Sequence, residues 1–169
     1  MSTFAFVMDS NVFIEAHRRY YSFPICPGFW DAIARHHKTG QVCSIDRVLR
    51  ELTQTADELG NWVKGGVAPS FFRVTTGEPV VDAFAKVARW VDASPQYAQA
   101  AKRQFLGGAD PWLIAYCVTE KATLVTQEVP APQAQNKVPI PNVCNAFHVP
   151  TCNTFELLRQ LPAVFHLSE

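Results

Sequence analysis

The chain has 169 residues, 48% of them hydrophobic and 18% charged, with fifteen basic and fifteen acidic side chains that cancel. That length supports one compact domain, residues 1–169, burying roughly two thirds of the unfolded surface, and the composition excludes a disordered chain. The neutral balance excludes a protein that coats nucleic acid through bulk charge, although a local basic rim would not show in the total.

Phe4 to Met8 is a continuous apolar run, the pattern of a central parallel strand covered on both faces. Asn11 to Arg19 has helical spacing, with Asp9 or Ser10 available as its N-cap. After the breaks at Pro24 and Pro27, a helix is predicted to about His37, closed by Gly40. Val42–Cys43 is a brief strand, and Ser44 caps a helix that carries Ile45, Val48, Leu49 and Leu52. The run Phe71 to Val74 is a loop or a minor strand.

From Glu78 to Phe105 two helices are predicted on either side of Ser94-Pro95, with Phe84, Val87, Ala88 and Val91 as the buried stripe of the first. Gly107-Gly108 precede a strongly apolar helix with Pro111 in its first turn. Thr123 to Glu128 is β-prone and ends in an acid, Val129 to Pro141 is a proline-rich loop, Asn142 to Val149 is a last strand, and Thr151 to Leu161 is a C-terminal helix. Strands alternating with helices predict an α/β fold with a central parallel sheet. Five cysteines without a C-x-x-C pair, an apolar start that meets Asp9 too early for a signal peptide, and no run long enough for a membrane span predict a soluble, cytoplasmic protein.

Four acids stand out. In an open parallel sheet ligands bind beyond the carboxyl ends of the strands, where Asp9 and Glu128 fall. Asp110 opens a buried helix, where the dipole tolerates negative charge, and Glu51 lies about two turns past Ser44, placed to project inward. Four carboxylates brought together repel unless they take up protons or a cation. A site made of Asp and Glu suits Mg²⁺ or Mn²⁺, which prefer oxygen ligands.

The stretches Val7–Asn11, Ser44–Leu52, Gly107–Cys117 and Leu124–Glu128 resemble, in order and spacing, the motifs of PIN-domain ribonucleases, in particular VapC-type toxins. Arg18 to Ile33 looks like the insert of a PIN-like subfamily. The resemblance implies a three-layer PIN-like fold and a metal-dependent endoribonuclease, with Asp9, Glu51, Asp110 and Glu128 as catalytic and metal-binding acids. Glu128 stands where aspartate is more usual. Ser10 and Asn11 match the polar residues that support the first acid. RNA as substrate, an antitoxin that blocks the site, and a homodimer are implied by the same resemblance.

Arg18, Arg19, Arg47 and Arg50 are the cations closest in sequence to the acids and the candidates for phosphate contact. Each acid also has an ordinary role open to it. Asp9 and Asp110 could cap helices, Glu51 could pair with Arg47, and Glu128 could be a solvated loop acid. His36 and His37 are placed to favour a helix C-terminus, His17 and His148 to be surface or satisfied groups, and Trp30, Trp62, Trp90 and Trp112 to anchor a core or interface. Two further functions fit the acids: a haloacid-dehalogenase-like phosphohydrolase, against which Asn11 counts because that class has a second acid there, and a PIN-like binding module without catalysis.

Overall fold

Short apolar strands need cover on both faces, and this chain supplies it by alternating them with helices. Residues 4–167 are described by a computed structural model. The chain runs through β1 (Phe6–Met8), α1 (Ser10–Glu15), a π-helical turn (Ala16–Tyr20), α2 (Pro27–Lys38) and β2 (Val42–Ile45). It continues with α3 (Asp46–Leu52), α4 (Glu58–Gly65), β3 (Phe72–Arg73), α5 (Glu78–Ala93), α6 (Gln99–Gly107) and α7 (Asp110–Glu120). Last come β4 (Thr123–Val125), α8 (Ile140–Ala146), β5 (Thr151–Cys152) and α9 (Thr154–Gln160).

The five strands form an all-parallel sheet in the order β3-β2-β1-β4-β5, flanked by nine helices among the described residues. This is the predicted α/β class in the expected three-layer, PIN-like arrangement. Val7 pairs with Cys43 on one side and Leu124 on the other. The first three strands build outward from β1 and the last two return to its opposite side, which puts the topological switch point between β1 and β4. Val7, Met8, Leu124 and Val125 are fully enclosed, as a strand covered on both faces requires.

Several local expectations are corrected. Asn142 to Val149 is not a strand: α8 occupies most of it, with Pro141 in its first turn, and the last strand is the short β5. The predicted helix from Thr151 therefore starts at Thr154, behind a capping box in which the Asn153 side chain and the Glu156 backbone N–H meet at 2.9 Å. Ser44 is no cap. It lies in β2 and donates its hydroxyl to the Met8 carbonyl at 2.6 Å, tying β2 to β1 just before Asp9. The helix after Asp9 is regular only to Glu15 and then widens into the π turn. His37 does not serve the end of α2; it is buried, stacks on Phe4, and donates from Nδ1 to the Val42 carbonyl at 2.9 Å.

Leu124→Ala, in an enclosed strand position, should cost about 2–5 kcal/mol in urea denaturation. Asn153→Ala, which removes only the cap of α9, should cost about 1 kcal/mol in the same measurement.

Candidate functional site

Asp9 follows the last residue of β1 and is fully buried. Its backbone N–H donates to the Val125 carbonyl at 2.9 Å, so the acid is fixed at the switch point between β1 and β4. It occupies the N-cap position of α1 without making a side-chain cap. Its carboxylate instead accepts from Thr126 Oγ1 at 3.0 Å and Ser10 Oγ at 3.3 Å. Thr126 Oγ1 in turn accepts the Glu128 N–H at 3.2 Å, which orients the threonine proton toward Asp9.

Asp110 is the first residue of α7 and is half-buried. Glu51 reaches the same helix end, its Oε1 accepting the Ala109 N–H at 3.3 Å. The expected alternative for Glu51, a pair with Arg47, does not form: the Arg47 guanidinium lies 3.9 Å above the Trp112 ring and its Nε donates to Thr75. Glu128 is held on both oxygens, one accepting the Ile140 N–H at 2.8 Å and the other paired with Lys137 Nζ. Arg18 and Arg50 are exposed, and Arg19 pairs with Glu15 at 3.0 Å.

All four acids share one electrostatic neighbourhood. Burial, followed by the charges of Glu128 and Glu51, pushes the Asp9 carboxyl up to about 6 against the relief given by Thr126 and Ser10. Burial, then Asp9, Glu128 and Glu51, pushes Asp110 up to about 8, with Lys137 pulling the other way. Among the described residues, neither Asp9 nor Asp110 forms a salt bridge. The acids do not close into one knot, however: no group of three or more His, Cys, Asp or Glu among those residues is placed to hold a metal ion. The reason is visible in the hydrogen bonds, since Glu51 and Glu128 are each drawn to a backbone N–H at the start of a helix.

Two residues in this site escaped the sequence reading. Thr126 had a signal, a lone hydroxyl at the end of an apolar strand two residues before Glu128. Lys137 is the only charged side chain between Val129 and Asn142, a contrast that could have drawn attention to it. His17 differs from expectation too, with a buried Nδ1 that has no hydrogen-bond partner among the described residues.

A parallel α/β chain with its acids at the carboxyl edge of the sheet defines the class. The chain belongs to the family described as a domain of unknown function, DUF4411, whose model matches residues 6–165. No curated protein and no solved structure matches it.

Because folding raises both carboxyls above their ordinary value of 3.8, their proton-linked stabilisation is present in full below that pH and is lost as pH rises through about 6 for Asp9 and about 8 for Asp110. In EDTA the melting temperature should therefore fall from about pH 4 to about pH 8, through both acids up to about pH 6 and through Asp110 alone above it. Asp110→Asn, which removes the higher-titrating group, should flatten that fall in calorimetric scans.

Proposed function

We propose that this chain is a metal-dependent endoribonuclease of the PIN type, cutting single-stranded or looped RNA by water attack on a phosphodiester. The observation that carries the reading is that acids from separate segments converge beyond the carboxyl end of β1: Glu51 and Glu128 act on the buried Asp9, all three act on Asp110, and Glu51 reaches the helix end that carries Asp110. Their donor chemistry fits a hard divalent ion, and a cation there offsets both the burial and the mutual repulsion that raise the Asp9 and Asp110 carboxyls. The lack of a three-ligand group does not oppose this, because Mg²⁺ is commonly held by one or two carboxylates and several waters. Asp9 and Asp110 would hold Mg²⁺ or Mn²⁺, and Glu51 and Glu128 would deepen the negative field.

Bound there, the ion supplies an activated water and compensates charge on the phosphodiester. The protein's own residues orient the centre. The Thr126 and Ser10 hydroxyls hold both Asp9 oxygens, and Glu51 fixes the N-terminus of α7 and with it Asp110. Asn11, exposed beside Asp9, is free to hold water or substrate. The exposed Arg18, Arg19 and Arg50 are available to phosphate, whereas Arg47 is committed to Trp112 and Thr75. A toxin role, an antitoxin covering the acids, a homodimer and a cytoplasmic setting belong to the same proposal. All five cysteines are free, which supports a reducing compartment. No helix among the described residues is long and apolar enough to cross a membrane.

A binding module without catalysis is the second reading, favoured by one observation: both Glu128 oxygens are already engaged. Incubation with single-stranded RNA and Mn²⁺ or Mg²⁺ separates the two. Cleavage is expected, with EDTA abolishing it and Asp9→Asn reducing it on the order of 10²-fold or more while the fold survives. RNA bound intact under all conditions overturns the nuclease. Mn²⁺ at a hundredfold excess over its Kd should raise the melting temperature by roughly 5–10 °C, and Asp9→Asn should suppress that rise.

A further inference from the structure

Beside the acids lies an open cleft of about 690 Å³ that none of the catalytic assignments uses beyond its inner end, where Asn11 and Glu128 line it. One wall is the ridge Asn11, Glu15 and Arg19, spaced four residues apart along α1 and the π turn. The opposite wall is β5 and the start of α9. At the outer end Tyr20 and Phe155, one from each wall, meet edge to face with ring centroids 5.6 Å apart. They are 46% and 39% exposed, in a chain whose other large rings are mostly enclosed. Exposing two large rings at the mouth of a polar cleft is unfavourable unless something covers them.

The charges of the cleft limit what that something is. Glu15 is paired with Arg19, Glu128 with Lys137, and the Glu156 carboxylate accepts the Asn153 N–H. Glu15 and Glu128 are thus offset by their own neighbours and only Glu156 keeps its full charge, while the Arg19 and Lys137 side chains stay 67% and 64% exposed and can still meet a phosphate. Two cations are too few to hold a polyanion by charge alone. Most of the affinity must come from the rings, and a duplex, whose bases are stacked inside, offers them nothing to stack on.

We propose that Tyr20 and Phe155 form a base-stacking platform that takes an unstacked nucleobase of a single strand, with Arg19 and Lys137 on the adjoining phosphates. The platform sets the substrate class of the nuclease proposed above and rests on that reading for the strand's being a substrate. A sequence-tolerant site follows, since every base presents a π face. The π turn has a part in this: it ends α1 and carries both Arg19 and Tyr20 to the cleft, as such distortions do at other functional sites.

The test is binding in EDTA, where nothing is cut, of a fluorescein-labelled oligouridylate of about eight nucleotides followed by anisotropy. The double variant Tyr20→Ala, Phe155→Ala should weaken binding about tenfold or more, and Tyr20→Phe, Phe155→Tyr should restore it. An abasic oligomer of the same length should bind weakly and equally to all three proteins. Unchanged binding by the alanine variant, or abasic binding as tight as that of the oligouridylate, overturns the platform. Cleavage without a stacking effect sinks this inference and spares the nuclease; stacking without cleavage does the reverse. Both rings are on the surface, so matched melting temperatures will show the alanine variant folded.

Discussion

The structure turns on a carboxylate that no basic side chain among the described residues pairs with. Asp9 is fully enclosed at the end of the central strand, at the one place in the sheet where the strand order reverses. Burying an acid there is costly, and two hydroxyls offset only part of it, since the carboxyl still sits well above its ordinary range. A fold selected only for stability would place an apolar or neutral residue at this position. The retained strain is of the kind that marks sites whose work requires it.

The other three acids show how that strain is managed. Glu51 and Glu128 arrive from distant segments and each accepts a backbone N–H at the start of a helix, Glu51 at α7 and Glu128 at α8. These contacts satisfy donors that no helix can satisfy internally and hold the two carboxylates apart from Asp9. Lys137 then neutralises part of Glu128 and acts also on Asp110. The site is therefore strongly negative without collapsing into a single cluster, and the side chains that shape it also dock the helices that build it.

Much of this was legible in the sequence because it rests on strong, local signals. The uninterrupted run before Asp9 announced a central strand, and Pro111 after two glycines announced the start of α7. The acids were found because a charge next to a buried run demands a reason. What failed depended on distant partners. The segment from Asn142 to Val149 has strand-like residues, yet most of it belongs to α8, whose first N–H is taken by Glu128 from the other side of a long loop. β5 is only Thr151–Cys152, too short to leave a period, and its pairing with β4 defines it. Ser44 looked like a cap, but the Met8 carbonyl on the neighbouring strand competed for its hydroxyl and won. The capping box at Asn153 and Glu156 was readable and would have set the start of α9 correctly.

Neutral net charge and nucleic-acid binding are compatible when affinity does not come from charge. A protein that neutralises many phosphates needs a basic face, which fifteen cations balanced by fifteen acids do not readily supply. Around the cleft, each of the cations Arg19 and Lys137 is shared with an acid, so a strand entering it exchanges one ion pair for another and gains little net Coulomb energy. Stacking has no such compensation: the exposed faces of Tyr20 and Phe155 are hydrated until a base covers them. Binding built this way depends only shallowly on salt and favours strands already unpaired, the strands whose phosphodiesters can reach an acidic centre recessed at the end of a buried sheet.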